Sequence, residues 1–357
     1  MKLRGLELLV LLLAGALMGV PLRGEPAPER LLRRSPPPSV AVPAPSTVRC
    51  GPLPCSFVRP LLRPEQAPPL DHPPAVAADA VPLRGSDLVL GLELGGQARA
   101  YPLNLLRYHR VINDELGGRA IAVAHSPISA ASVCVDRTGL GRLRHSGSML
   151  EGDELIVDGD GARWSPLLGR RLRENGRPGS VLHCPLMRWS AWRRLRPASQ
   201  VSWPRRAVLG FDYRLDAWEW YRRDRFYLVG PVHYLDLRLP HKQEVLGIVV
   251  PGEARAYALP AAGRRVVHAL VAGRPVLLLF DAESSFAAAY DGRLDGRTVE
   301  LDADLGDGHG SRFSLLGEAI SGPLKGSRLR PLEGGRSLFF AWAAFHHGRV
   351  VEARNEY

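Results

Sequence analysis

The chain has 357 residues, of which 45% are hydrophobic, and this apolar fraction excludes global disorder. Its formal net charge is +11, but scattered arginines carry that charge, and they form no basic stripe with interleaved aromatic side chains. We therefore expect no nucleic-acid partner. The length is that of about two domains.

Residues 1–24 have the pattern of an export signal. Lys2 and Arg4 precede an apolar run over residues 8–20, after which Pro21 and Gly24 interrupt any helix. A run of about 13 apolar residues is typical of a signal peptide and is short for a membrane span. The segment predicts either a cleaved signal peptide or an N-terminal anchor that tethers the protein to a membrane. In both cases we expect an extracytoplasmic protein, periplasmic or secreted.

Residues 25–80 indicate a proline-rich linker, because proline fixes φ and removes a backbone donor. Within this stretch Cys50 and Cys55 enclose a short loop. In an oxidising compartment we expect them to form a disulfide rather than part of a metal site, since His72 is the one histidine nearby. Cys134 and Cys184 lie in apolar contexts, where they either pair with each other or remain buried thiols.

The chain after residue 80 contains two similar stretches. GLELGGQARAYPL begins at Gly91 and GIVVPGEARAYAL begins at Gly247, and the tetrapeptide ending at Trp192 matches the one ending at Trp342. Their offset of about 150 residues is far above the period of solenoid repeats and indicates a duplicated unit. We expect repeat 1 over residues 81–238 and repeat 2 over residues 239–357.

Each repeat is predicted to be rich in β-strands. Short alternating or fully apolar runs are typical of strands, and the Gly95-Gly96 and Pro251-Gly252 pairs indicate hairpin turns. Short helices are expected over residues 101–109, 189–195 and 339–345. The predicted fold class is α+β and β-rich, with two tandem related repeats of small β-sheets and short packing helices.

Three long stretches resemble a known bacterial family. GQARAYPLNLLRYHRVINDELGGRAIAVAHSPISAASVCVDR is similar to the first half of the proteins catalogued as domain of unknown function 3179. YLDLRLPHKQEVLGIVVPGEARAYAL and LLGEAISGPLKGSRLRPLEGGRSLFFAWAAFH resemble the same family further along. The resemblance extends in order over residues 80–350. It implies little about function, because the activity of the family is not established.

The chain departs from this family at one motif. Where the family has Tyr-Cys-Pro-Leu-Cys-Gly-Thr-Ala, residues 125–132 are His-Ser-Pro-Ile-Ser-Ala-Ala-Ser. Ser126 and Ser129 therefore replace both thiols of a CxxC, an arrangement that can form a redox disulfide or half of a metal site. A family function that depends on those thiols is lost or altered here. His125 could restore one metal ligand, although a lone histidine beside a strand more often has a structural role.

The polar residues around this motif form the candidate functional site, which consists of His109, Asn113, Asp114, His125, Ser126 and Ser129. In one interpretation Asn113 and Asp114 form a turn. In the other, His109 and Asp114 line a cleft with His125 and the Ser126 hydroxyl, and the aspartate orients an imidazole. His109 and His125 are the candidate metal ligands. The chain has no GxSxG nucleophile elbow, so no catalytic residue is assigned, and the sequence identifies no cofactor.

The leading hypothesis is an exported, non-catalytic or degenerate binding module of the bacterial envelope, for a ligand that the sequence does not identify. One alternative is a metal-binding or redox-related envelope protein with its site near residues 109–132. Another is a structural envelope scaffold that binds a partner protein. Binding predicts an apolar pocket between the repeats, metal chemistry predicts that His109 and His125 converge, and a scaffold predicts an exposed apolar patch.

Overall fold

The computed structural model describes residues 48–172 and 180–347, together with the backbone of residues 351–354. The predicted signal or anchor segment, residues 1–24, and the first part of the predicted linker lie outside these described residues. Within them, no helix combines the length and the apolar character that crossing a membrane requires.

Short β-strands dominate the structure, which is 41% strand and 12% helix and is therefore better described as a β-protein than as a mixed one. The strands of the first half are β1 Arg49–Cys50, β2 Leu53–Pro54, β3 Arg59–Pro60, β4 Leu70–Asp71, β5 Ala75–Val76, β6 Leu88–Leu94, β7 Gln97–Pro102, β8 Val111–Leu116, β9 Arg119–His125, β10 Ser132–Asp136, β11 Arg144–Leu150, β12 Asp153–Val157, β13 Arg163–Ser165, β14 Arg170–Arg171, β15 Ser180–Leu182, β16 Leu186–Arg188 and β17 Gln200–Ser202. Those of the second half are β18 Glu244–Val250, β19 Glu253–Ala258, β20 Arg264–Val271, β21 Arg274–Asp281, β22 Phe286–Asp291, β23 Arg293–Leu294, β24 Arg297–Thr298, β25 Arg312–Phe313, β26 Ala319–Ser321, β27 Gly334–Leu338 and β28 Val351–Arg354. The α-helices are α1 Leu103–His109, α2 Trp189–Leu195, α3 Glu219–Arg223 and α4 Phe339–Phe345.

Five sheets form the body of the described fold. Sheet 1 has the strand order β16-β6-β7-β17-β5, and sheet 2 has the order β15-β10-β9-β8-β4. Sheet 3 has the order β14-β13-β12-β11-β3, sheet 4 the order β27-β18-β19-β28, and sheet 5 the order β20-β21-β22. Consecutive strands pair mainly as antiparallel hairpins, with Leu90 opposite Tyr101 in sheet 1 and Leu246 opposite Tyr257 in sheet 4.

The five sheets pack in a closed ring, because each shares a buried apolar cluster with the units on either side. The clusters join sheet 1 to sheet 2, sheet 2 to sheet 3, sheet 3 to helix α4, sheet 4 to sheet 5, and sheet 5 back to sheet 1. Representative members, in that order, are Leu90 with Val123, Ala122 with Ile156, Leu155 with Phe345, Ile248 with Leu278, and Leu279 with Val89. The arrangement resembles a five-bladed β-propeller.

The predicted α+β architecture of two tandem repeats with packing helices is therefore wrong. The physical reason is the small size of each sheet, which cannot cover its own two faces and buries them against its neighbours. The middle of β6, for example, is buried over four consecutive residues. One cluster contains both Val89 and Leu279, so apolar contacts cross the expected boundary near residue 238.

The sequence similarity between the two stretches has a structural counterpart in sheets 1 and 4. Helix α2 follows β16 and precedes β17, as α4 follows β27 and precedes β28, and β17 runs parallel to β7 as β28 runs parallel to β19. Trp192 of α2 lies over Gly91 and Trp342 of α4 lies over Gly247. A Cβ at these glycines would lie 2.2 Å and 1.9 Å from the respective indole. The matching residues thus specify two blades of the ring.

The described part of the predicted linker contributes to the ring, since β3, β4 and β5 add edge strands to sheets 3, 2 and 1. The predicted disulfide between Cys50 and Cys55 is confirmed, and it closes the β1-β2 hairpin. Cys134 and Cys184 also form a disulfide, which connects β10 of sheet 2 to the segment that leads into β16 of sheet 1.

Replacing Gly91 with alanine should destabilise the fold, because the added Cβ would overlap the Trp192 ring in a closely packed core. We expect Gly91→Ala to lower the free energy of unfolding by about 1–3 kcal/mol, measured by urea denaturation followed by tryptophan fluorescence. Gly335→Ala is the matched control, since nothing lies within 4 Å of a Cβ at that position. If the two substitutions lower the free energy of unfolding equally, the close contact between Gly91 and Trp192 is not the cause of the loss of stability.

Candidate functional site

Two neighbouring cavities lie where the ends of sheets 1, 2, 4 and 5 approach one another. The first, here called the arginine cavity, has a volume of about 70 Å³. Its polar lining consists of Arg107, His125, Arg222, Glu244, Arg336 and Ser337. The second, here called the Lys242 cavity, has a volume of about 280 Å³ and is lined by Lys242, Asp281 and Ser285 among others. Glu244 and Arg336 line both cavities, so this ion pair stands between them.

Four separate elements bring the charged residues of the arginine cavity together. Arg107 lies in the last turn of α1 and Arg222 lies in α3. Glu244 is the first residue of β18, and Arg336 lies on the adjacent strand β27, opposite Leu246. The strand pairing in sheet 4 thereby places the carboxylate beside the guanidinium with which it pairs.

Two carboxylates hold the three guanidinium groups. Nη1 of Arg107 lies 2.7 Å from Oδ2 of Asp216, and Asp216 also accepts a hydrogen bond from Nη1 of Arg222 at 3.2 Å. Arg336 donates to Glu244. Burial and the neighbouring Arg222 lower the pKa of Arg107 to about 10. The pKa of Glu244 is lowered chiefly by Arg336, with Arg222 and Arg107 contributing, so all three cations act on this carboxylate.

His125 lies at the end of β9 and forms part of the cavity wall. It is 3% exposed, and its Nδ1 lies 2.9 Å from Oγ of Ser132. Burial, together with the positive charges of Arg107 and Arg110, holds the pKa of His125 well below its ordinary value. The imidazole is therefore neutral at physiological pH and contributes hydrogen bonding rather than charge.

The loop that replaces the CxxC motif forms the same wall, since Pro127 and Ala130 line the arginine cavity. Oγ of Ser126 accepts hydrogen bonds from the backbone N–H groups of Ser129 and Glu154, at 3.3 and 3.1 Å. Oγ of Ser129 donates to Oδ1 of Asp153 at 2.8 Å. Both hydroxyls are buried, and both already form hydrogen bonds within the protein. Ala130 has a φ of 58°, a left-handed conformation that favours the glycine found there in the family pattern.

A buried acidic pair anchors this loop. Asp153 accepts hydrogen bonds from Oγ of Ser165 at 2.5 Å and from the backbone N–H of Leu167 at 3.1 Å, in addition to the one from Ser129. Burial raises the pKa of Asp153 to about 7. Burial also raises the pKa of the adjacent Glu154, which accepts a hydrogen bond from Nε of Arg110 at 3.0 Å.

The remaining predicted site residues have other partners. The ring nitrogens of His109 lie 2.6 Å from the carbonyl oxygen of Pro68 and 2.7 Å from the Tyr213 hydroxyl. The prediction that Asn113 and Asp114 form a turn is wrong, because both lie inside strand β8. Within the described ranges, these three residues do not line either cavity.

Buried hydrogen bonds account for the two residues of β8. The amide of Asn113 donates to Asp71 at 2.9 Å, and Asp114 accepts a hydrogen bond from Nη1 of Arg99 at 2.8 Å. The structure therefore brings together His125, Ser126 and Ser129, but not the whole predicted constellation. Across the part of the chain that the structure describes, no group of three or more His, Cys, Asp or Glu side chains is placed to hold a metal ion.

Sequence reasoning did not identify Arg107, Arg222, Glu244 and Arg336. These residues belong to elements far apart in the chain and form no local motif. The available signal was weak: Glu244 is a charged residue at the edge of an otherwise apolar segment, EVLGIVV, and Arg107 lies within the mixed helical segment LNLLRYH. Such positions are also common on protein surfaces.

Fold and site together define a propeller-like protein with a charged cavity beside the loop of residues 125–132. The family model described as "Protein of unknown function (DUF3179)" matches residues 64–348. This match covers most of the chain, and the protein therefore belongs to that family. No curated protein and no solved structure matches the chain.

The buried Asp153 should make stability depend on pH in a defined direction. Because its folded pKa of about 7 exceeds the ordinary value of 3.8, folding favours the neutral carboxyl, and this contribution is lost as the pH rises from 4 to 7. Relative to Asp153→Asn, the wild-type free energy of unfolding should fall over that interval, by at most about 1.4 kcal/mol per pH unit. Urea denaturation at several pH values measures the difference.

The control is Asp79→Asn, which changes an exposed carboxylate. Its curve of stability against pH should run parallel to that of the wild type. If the Asp153→Asn curve is also parallel between pH 4 and pH 7, the carboxyl is ionised in the folded protein and the assignment is wrong.

Proposed function

We propose that this protein is an exported, non-catalytic binding module of the bacterial envelope, which holds a small-molecule ligand in the arginine cavity. One observation carries the proposal: two cavities adjoin at the ion pair of Glu244 and Arg336, at one end of the ring. Ligand sites favour such convergence points of several elements. The cavity differs from the apolar pocket that the sequence predicted, since charged side chains line it.

The state of the CxxC loop supports a binding role over a redox one. The loop that carries thiols in the family pattern forms a wall of the cavity, which supports a site at this location. In this chain the two positions are Ser126 and Ser129, whose hydroxyls are buried and hydrogen-bonded to Asp153 and to backbone N–H groups. A hydroxyl cannot be reversibly oxidised, so a loop with serines at these positions is better suited to binding than to redox chemistry.

Two features support export. The N-terminal segment has a basic start and an apolar run of signal-peptide length. All four cysteines are in disulfides, which persist in oxidising compartments and are rare in the cytosol.

Export is tested by fusing residues 1–80 to alkaline phosphatase, an enzyme that becomes active only after it leaves the bacterial cytoplasm. We expect an active fusion, and we expect Leu11→Arg to abolish the activity, because a charge interrupts the apolar run. Ala41→Arg, in the proline-rich stretch, should leave the activity unchanged. A fusion that is inactive but stably produced would contradict export.

Binding is tested by filling the arginine cavity. We expect wild-type protein, incubated with a periplasmic small-molecule extract and then dialysed, to release a bound compound on denaturation, detected by mass spectrometry. Leu88 lines the cavity, so Leu88→Trp should remove the retained compound by occupying its space.

The control is Leu209→Trp, which changes a side chain that is 68% exposed, and this variant should retain the compound as the wild type does. Retention of the same compounds by all three proteins, or by none of them, would refute a ligand site in this cavity.

A structural scaffold is the second candidate function, and one observation favours it. Large apolar side chains are exposed along the segment that joins β17 of sheet 1 to β18 of sheet 4, with Leu209 68%, Phe226 88% and Leu237 80% exposed. Exposed apolar surface marks sites of protein association. The scaffold is the account that stands if the cavity retains no ligand.

A further inference from the structure

We infer that the ligand of the arginine cavity carries an oxyanion, a carboxylate or a phosphate group, and that Glu244 competes with this group for the three arginines. The inference rests on the proposed function and specifies the chemistry of its ligand. Three properties of the site support it: the balance of charge, the way in which the cations are held, and the size of the cavity.

The balance of charge favours an added anion. Among the described residues at the cavity, the guanidinium groups of Arg107, Arg222 and Arg336 face the carboxylates of Asp216 and Glu244. His125 adds no charge, because burial and the nearby arginines keep it neutral. Asp87 also acts on Arg107, but it pairs with the exposed Arg84, so the three guanidinium groups outnumber the carboxylates that contact them, in a mostly buried place where an unpaired charge is unfavourable. Guanidinium groups bind carboxylate and phosphate oxygens in a two-pronged geometry.

Arg107 and Arg336 each have several hydrogen-bond partners in the protein, whereas the competing carboxylate of Glu244 is more exposed. Arg107 is bonded to Asn104 and to Asp216, and Arg336 donates on its other side to the carbonyl oxygen of Ser285. The side chain of Arg336 is 9% exposed, whereas that of Glu244 is 38% exposed. A ligand oxyanion can therefore take the place of the Glu244 carboxylate while the arginines remain in position.

Unused donors remain at the cavity. Ser337 is 2% exposed and lines the cavity, and its hydroxyl has no hydrogen-bond partner among the described residues. Nε of Arg107 and Nε of Arg336 are likewise buried without a partner in that part of the chain. Buried donors normally find an acceptor. After small adjustments of these side chains, several of the donors would be able to form hydrogen bonds to a bound oxyanion.

The size of the cavity defines what enters it. A volume of about 70 Å³ is several times the roughly 10–15 Å³ that a cavity needs in order to hold one water molecule. It therefore accepts a small oxyanion or the charged head of a larger molecule. The body of a larger ligand would extend past Glu244 into the Lys242 cavity, which has a volume of about 280 Å³.

The inference is tested by titrating inorganic phosphate and, separately, acetate into the full protein by isothermal calorimetry. Removing the competitor with Glu244→Gln should tighten binding of the preferred anion by about tenfold, and Arg336→Gln should weaken it by about tenfold or more. Binding should also weaken as the NaCl concentration rises. The comparison of phosphate with acetate distinguishes the two kinds of oxyanion.

The control is Glu115→Gln, which removes an exposed carboxylate from β8 and should bind as the wild type does. If Arg336→Gln does not fold, Arg336→Lys serves in its place: it keeps the charge but loses the two-pronged geometry, and it should bind several-fold more weakly than the wild type. If Glu244→Gln binds neither anion more tightly than the wild type, the inference is overturned.

The outcome separates this inference from the proposed function. If Arg336→Gln and the wild type retain the same compound from the extract while Leu88→Trp loses it, the cavity binds a ligand that has no oxyanion, and the inference alone fails. If Leu88→Trp makes no difference to retention either, the proposed function fails as well.

Discussion

The packing of sheet 5 against sheet 1 is the contact on which the rest of the structure depends. These sheets come from different halves of the described chain, and they share a large apolar cluster that includes Val89, Trp192, Leu279 and Phe286. Small sheets of this kind have two apolar faces and no core of their own, so each is stable only between two neighbours. Closing the ring supplies the last neighbour, and it also brings the ends of sheets 1, 2 and 4 to one place.

The cavity at that place has the loop of residues 125–132 as one wall, and two serines of this loop are buried. Ser126 and Ser129 occupy the positions of two thiols, and a buried hydroxyl, unlike a thiol, requires a hydrogen-bond partner. Asp153 and the backbone N–H of Glu154 supply those partners. Because the strand that begins at Asp153 belongs to sheet 3, the contact between sheets 2 and 3 holds the cavity wall in position.

Two arginines at the cavity, Arg107 and Arg336, have side chains that are less exposed than those of most arginines that the structure describes. Most arginines in this chain are exposed or paired in exposed ion pairs, where solvent and salt weaken each interaction. Arg107 is buried and Arg336 is partly buried, and their counter-ions come from other parts of the chain. Buried ion pairs seldom add stability, because desolvation offsets the attraction. Such pairs also occur away from the cavity, as between Arg99 and Asp114 and between Arg171 and Asp158, so burial alone does not distinguish the pairs at the cavity.

The sequence by itself determined the features that depend on near neighbours. The glycine pairs specify hairpin turns, the short helices over residues 189–195 and 339–345 follow from local pattern, and Cys50 and Cys55 are close enough to pair without a fold. Tertiary structure alone decided the closure of the ring, the burial of Asn113 and Asp114 inside β8, and the convergence of Arg107, Arg222 and Arg336 on Glu244. The partners in those contacts are distant in the chain. Neither their spacing nor their residue types predict which of the many arginines will pair with a given carboxylate.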